Sequence, residues 1–294
     1  MARNLQAEVT ARILACLQKG AIPWRQPWSG QGSGAMPRNA MTNRAYSGCN
    51  VPLLWATAQE RGYESSKWLT FKQALDAGGN VRKGEKGSLV VYVSSVEKTD
   101  EETGKIVRIP FLKAFTVFNV SQCDGLTLAG EAPRAVNPHM RNGLAEEFIA
   151  STGATVTHGE GRAYYRPSTD SVNLPRFETF VGASEYYSTA FHELTHWTGA
   201  EKRLNRTFGK RFGDCAYSAE ELVAELGSAF LCAEFGFDND VIDNQAAYLA
   251  HWIKALTDHE SLFVAAASKA SQAVEFTRGL AISETADETI SEAA

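Results

Sequence analysis

Cysteine is sparse and scattered in this sequence. The five thiols, Cys16, Cys49, Cys123, Cys215 and Cys232, are odd in number and none stands in a CxxC pair, which argues against a disulfide framework and a thiolate zinc site. Long apolar runs are also missing: nothing approaches the roughly 18 residues of a membrane span. The first residues carry Arg3 and Glu8 without the apolar stretch of a signal peptide. A cytoplasmic protein with no membrane partner is therefore expected. There is no internal repeat, and the absence of polymerase carboxylate motifs argues against a primase-accessory role.

What is present is the composition of a folded protein, 44% apolar and 21% charged over 294 residues, enough for two ordinary domains. Charge is divided unevenly: residues 1–130 hold 16 Lys+Arg against 10 Asp+Glu (+6), and residues 131–294 hold 13 against 24 (−11). A basic part joined to an acidic part suggests a polyanion-binding module fused to something of different chemistry.

Helical spacing of Leu5, Val9, Ile13, Leu14 and Leu17 predicts a helix over 5–19, stopped by Gly20. A Pro-, Gly- and Trp-rich loop with a flexible Gly/Ser tip follows over 21–39. Further helices are expected at 51–61 and 70–77, the latter capped by Thr70. From residue 88 the period changes to two, and SLVVYVSSVEK and VRIPFLKAFTVFNVSQ read as a long hairpin. The fold class is α+β. A small N-terminal α+β domain with an antiparallel sheet covers 1–125 and a linker covers 126–138. A second domain spans 139–280, with a helix at 139–151, a short β-meander, and helices near 184–198, 218–235, 240–256 and 260–277. A frayed acidic tail occupies 281–294.

The sharpest chemical signal is HELTH at 192–196. Residues i and i+4 of a helix share a face, so His192 and His196 can reach one metal ion. Glu193, beside the first ligand, can take a proton from water. Ser184 is the expected N-cap and Gly199 the expected stop. Downstream, SAEELVAELGSAFL is a core-like helix carrying Glu221 and Glu225 one turn apart. Glu221 completes a His₂Glu set that leaves a position for water, and Glu225 is expected to accept the outer N–H of a histidine. Glu220 competes for the ligand role, but its i+4 partner is Ala224. The expected cofactor is Zn²⁺, or another divalent ion such as Mn²⁺ or Co²⁺. Over 160–235 these residues resemble the gluzincin metallopeptidases, in which the HExxH glutamate activates water for attack on a peptide carbonyl and a Tyr, His or Arg stabilises the oxyanion. Tyr217, Arg206 and Tyr187 are candidates for that last role, and GRAYYRP (161–167) is a candidate edge strand for aligning a peptide.

In the N-terminal part, aromatics alternate with cations. Trp24, Arg25, Arg44, Tyr46, Trp68, Arg82, Lys83 and Lys86 are the candidate single-stranded DNA contacts, rings for stacking on bases and cations for phosphates. The segments IPWRQPW, MPRNAMTNRAYSGCNVPLLW, WLTFKQALDAGGNVRKGEKG and FLKAFTVFNVSQ, followed by HELTHWTG and EELVAEL, together resemble the ArdC-type antirestriction proteins of conjugative plasmids. Their N-terminal domain is shared with TraC-type primases. That resemblance implies single-stranded DNA binding and protection of incoming plasmid DNA from restriction during conjugation, and a DNA tether joined to a peptidase-like domain leads to the expectation of a protein substrate such as a restriction-enzyme component. The alternative is a non-catalytic DNA-binding shield whose metal site is structural. Oligomeric state is open.

Overall fold

In the computed structural model, residues 3–25, 35–99, 106–127, 137, 139–208, 215–239 and 245–291 are described. Helix α1 (Leu5–Gln18) starts where the Asn4 side chain accepts from Ala7 N–H, and it buries Leu5, Val9, Ile13 and Leu17. Helix α2 (Asn50–Arg61) ends at Gly62, whose φ of 67° supplies the left-handed turn. Helix α3 (Phe71–Asp76) has the expected Thr70 cap, made reciprocal by Gln73.

The strands β1 (Arg38–Asn39), β2 (Lys67–Leu69), β4 (Ser88–Thr99) and β5 (Ile106–Asn119) form one sheet in the order β1-β2-β5-β4, antiparallel except for β1 with β2. The expected hairpin is β4 with β5. A two-stranded ribbon pairs β3 (Asn80–Val81) with β6 (Cys123–Asp124). The Gly/Ser tip of the 21–39 loop and most of the 126–138 linker lie outside the described residues.

The second half begins with α4 (Gly143–Ser151), capped by Asn142. Its strands β7 (Thr155–His158), β8 (Tyr164–Arg166) and β9 (Ser171–Leu174) are ordered β7-β9-β8, with β7 and β9 parallel. This corrects the expected meander: β9 inserts between its predecessors, which leaves β8 at the edge. Helices α5 (Ala183–Thr198), α6 (Cys215–Phe235), α7 (Gln245–Asp258) and α8 (Leu262–Ser291) follow. The last continues beyond the expected end at 277, through the acidic segment.

One hydrophobic cluster runs through both halves, joining Leu5, Val9, Ile13, Leu53 and Val91 to residues of α5, α6, α7 and α8. Trp24 is at its centre, its ring 6.4 Å from Trp252 and 5.6 Å from Phe263. Thr10 donates to the Glu260 carbonyl, and the Gly48 N–H donates to Ser271 Oγ. A smaller cluster of Leu54, Ala58, Trp68, Val90 and Val117 lies between α2 and the base of the hairpin.

Candidate metal centre

The centre is built on α5 and α6. Their contact is tight at Gly227 of α6, where an added Cβ would stand 2.6 Å from Thr195 Oγ1 and 2.7 Å from Thr195 Cγ2. Thr195 lies within HELTH, so the absent side chain lets α6 come against the ligand-bearing turn. Gly182, rather than Ser184, is the N-cap of α5, and the Ser184 hydroxyl accepts from the Asp238 N–H instead. Gly199 ends the helix as expected. There Arg203 donates to the Trp197 carbonyl and stacks over the Trp197 ring at 3.9 Å, a cation placed at the negative end of the helix.

His192 and His196 point their Nε2 atoms at one another, 3.2 Å apart. Glu221 reaches both, with Oε2 3.6 Å from His192 Nε2 and Oε1 3.6 Å from His196 Nε2. Metal arms of about 2.0–2.1 Å in tetrahedral arrangement set ligand atoms about 3.4 Å apart. The observed separations bracket that value, and the donor set of two imidazoles and a carboxylate suits a divalent ion. Among the described residues, this trio is the cluster of possible ligands whose donor atoms all lie within 4.8 Å of one another.

The electrostatics of this trio favour a held proton. Burial opposes charge on His192, but the Glu221 hydrogen bond and the charges of Glu193, Glu225 and Glu221 outweigh it and push the imidazole up to about 9. Burial would raise the carboxyl of Glu221, yet His192, His196 and Tyr217 hold it below its ordinary range. A divalent ion held by His192, His196 and Glu221 would compete with this proton for the same groups.

Behind the ligands is a pair that sequence reasoning placed differently. Glu220, not Glu225, meets the outer nitrogen of His196: Nδ1 and Oε1 are 3.1 Å apart. Arg206 clamps Glu220 in turn, Nε to Oε2 at 2.9 Å and Nη2 to Oε1 at 2.8 Å, and also donates to the Thr195 carbonyl and to Thr198 Oγ1. Both charges are almost wholly buried. Arg206 is therefore committed to orienting His196 and does not serve as an oxyanion donor. Tyr187 is also excluded, because its buried hydroxyl is bonded to Glu146 and to the backbone of Asn142. Tyr217 remains: one turn before Glu221, its phenol is raised by burial and by the adjacent charges of Glu221 and Glu193. The charge of Glu193 thus bears on both His192 and Tyr217.

Glu225 pairs with Arg25, whose Nη2 lies 2.7 Å from each carboxylate oxygen and whose Nε lies 3.1 Å from Oε2. The helical step from Glu221 to Glu225 carries this carboxylate towards the N-terminal half. Arg25, Glu225, Glu185, Thr189, Asn239 and His192 border a polar cavity of about 300 Å³ beside the ligands. On another side, Tyr165 of edge strand β8 donates to Asp170, which also accepts from Arg203. The sheet is thereby fastened to the end of α5. Cys49 and Cys232 are buried and their thiols pushed up to about 12, in keeping with core roles.

The candidate DNA contacts separate into two groups. Trp24 and Trp68 are core side chains, 0% and 1% exposed, with no ring face open to a base. Arg25 is held by Glu225, and Tyr46 is half-buried against both clusters. Arg82 is exposed but tied to Glu85, Asp124 and the Ser121 carbonyl. Arg44, Lys83 and Lys86 are exposed. Sequence reasoning overlooked Tyr92, Phe111 and Phe115, exposed rings on the hairpin; the period-two spacing of Phe111, Lys113 and Phe115 is the signal that marks them.

Comparison with known proteins gives two family matches: residues 3–118 match the N-terminal domain of anti-restriction factor ArdC, and residues 143–269 match a zincin-like metallopeptidase. The chain is 39% identical over 284 residues to the uncharacterised protein y4eC of Sinorhizobium fredii, covering 93% of this chain and 91% of that one. It is 39% identical over 288 residues to DNA primase TraC of Escherichia coli, covering 92% of this chain but only 26% of TraC. Among solved structures, the metal-free antirestriction ArdC protein from plasmid R388 superposes with a TM-score of 0.80 at 41% identity, over 96% of this chain and 99% of that one. The Mn(II)-bound structure of that protein gives 0.78 at 40% identity, over 95% and 98%.

Proposed function

This chain belongs to the ArdC family of antirestriction proteins, and from that membership we propose a metal-dependent hydrolase that binds single-stranded DNA through its N-terminal half and cuts a protein through the centre on α5 and α6. The convergence of His192 Nε2, His196 Nε2 and Glu221 at 3.2–3.6 Å carries the hydrolytic part. When bound, a divalent ion such as zinc, or manganese as in the Mn(II)-bound relative, supplies Lewis acidity to a peptide carbonyl and acidifies water.

The chain's own groups do the rest. Glu193 takes a proton from water and returns it to the leaving amine. Tyr217 donates a hydrogen bond to the carbonyl oxygen as negative charge develops there. Glu220, braced by Arg206, fixes the ring of His196. The edge of β8 offers backbone donors and acceptors to an extended peptide.

The basic N-terminal half and its kinship with the ArdC N-terminal domain support the DNA-binding part. Tethering to incoming plasmid DNA raises the effective concentration of the hydrolytic centre at proteins on the same strand. A restriction-enzyme component met in the cytoplasm during conjugation is the substrate that fits this arrangement. Metal analysis and oligonucleotide binding on the same preparations test it. Wild type and Glu193→Ala should carry a divalent ion, His192→Ala/His196→Ala should carry none, and all three should bind single-stranded DNA. Metal retained by the double variant would remove the ligand assignment, and a wild-type chain indifferent to DNA would remove the tether.

A further inference from the structure

The β4–β5 hairpin exposes one face that nothing in the metal centre uses. The register pairs Val90 with Phe115, Tyr92 with Lys113 and Ser94 with Phe111. Direct cross-strand partners share a face, so Tyr92, Phe111, Lys113 and Phe115 stand together. At the base of this face, Val90 and Val117 are covered by Leu54 and Ala58 of α2. Beyond them the cover ends: Tyr92 is 65% exposed, Phe111 40% and Phe115 49%.

Three features of this patch point to one class of ligand. Among the described side chains of the hairpin, the large exposed ones on this face are aromatic, whereas the exposed aliphatics, Val93 and Ile106, fall on the opposite face. Its charge is positive: Lys113 lies between the rings, its Nζ 5.5 Å from the centre of the Phe111 ring, and the register puts no Asp or Glu on this face over the described strands. Its spacing is open, because Phe111 and Phe115 are diagonal neighbours of Tyr92, about 7–8 Å away in an antiparallel pair. Diagonal spacing of this kind leaves room for planar groups between or upon the rings.

We propose that this face, Tyr92, Phe111 and Phe115 around Lys113, is the surface on which single-stranded DNA stacks its bases. The inference rests on the DNA-binding reading above and relocates it from Trp24 and Trp68, which are core residues, to the hairpin. Successive bases of an extended strand lie on the three rings, Lys113 meets the phosphate between them, and sequence preference is weak because every base has a π-face.

Fluorescence anisotropy of the full chain with labelled oligo-dT, at several salt concentrations, tests this. Tyr92→Ala, Phe111→Ala and Phe115→Ala should each weaken binding roughly fivefold to a hundredfold with the salt slope unchanged. Lys113→Ala should lower the magnitude of the slope by about 0.7. Tyr92→Phe, which keeps the ring, should bind like wild type, and unchanged metal content in each variant confirms that the chain still folds. If wild type binds and the triple alanine variant binds equally well, the location is wrong and DNA binding itself survives. If wild type does not bind, both fall. A triple variant whose only change is in oligomeric state would overturn the proposal in favour of self-association.

Discussion

Glu220 and Glu221 are adjacent in the chain, and a helix turns adjacent side chains about 100° apart, so one carboxylate enters the ligand cluster while the other goes behind His196. Removing the rear one should be felt twice. In Glu220→Ala the buried guanidinium of Arg206 loses its partner, a loss that costs about 3–5 kcal/mol, read by urea unfolding of the metal-free chain. His196 also loses its orientation, and affinity for Mn²⁺ should fall about tenfold to a hundredfold by titration calorimetry. Glu220→Gln, which keeps an acceptor, should suffer less on both counts. Unchanged affinity in Glu220→Ala would show that His196 needs no brace. A second prediction concerns protons. The metal-free imidazole of His192 is raised to about 9 from an unfolded value near 6.5. That pairing therefore stabilises the metal-free fold fully below pH ~6.5 and is lost as pH rises through about 9. Because metal must displace this proton, affinity should climb by up to about tenfold per pH unit between roughly 7 and 9 and then level off. A flat affinity over that range would contradict the pairing.

The candidate ligand trio is legible in the sequence because HELTH fixes two of its members by covalent spacing on one helix and a second core-like helix offers Glu221, and the structure brings the three donor groups together. The brace was not legible. Glu220 finds Arg206 across a segment between α5 and α6, and the i+4 argument that favoured Glu225 says nothing about which way that turn faces.

At the scale of elements, Thr70 and the change of period at residue 88 announce their structures through local chemistry alone, and the corresponding helix and hairpin form where expected. The order β7-β9-β8 does not announce itself, because three short strands of similar composition do not encode which inserts between the others. The packing of α5 on α6 also depends on one position. Gly227→Ala should drive a methyl into Thr195, costing about 1–3 kcal/mol as overpacking does, and should weaken metal binding by displacing the ligand turn. Adding Thr195→Ala should restore much of both. If Gly227→Ala is neutral in thermal unfolding and metal titration, the two helices are not held at that contact.

For the whole molecule, the shared core makes the N-terminal half a structural partner of the metal helices. Pro, Arg and Trp around Trp24 in the sequence suggest a base-stacking ring, but its partners Trp252 and Phe263 are more than 200 positions away and local pattern cannot reveal them. Trp24→Ala should therefore lower stability by about 3–5 kcal/mol and shift a single unfolding transition followed by both far-ultraviolet dichroism and tryptophan fluorescence. Two separate transitions, only the first of them moved, would mean that the halves fold independently. Trp24→Phe should leave DNA affinity unchanged.

Whether the centre on α5 and α6 acts chemically is decided most directly by one measurement. Plasmid DNA is transferred by conjugation into a restricting recipient, with protection supplied by wild type or by Glu193→Gln, each shown to retain its divalent ion and its DNA affinity. A hydrolytic centre predicts that Glu193→Gln loses protection although metal and DNA are still bound, since the residue that handles the proton is gone. Full protection by Glu193→Gln would contradict it and leave a metal-stabilised scaffold that works by covering DNA.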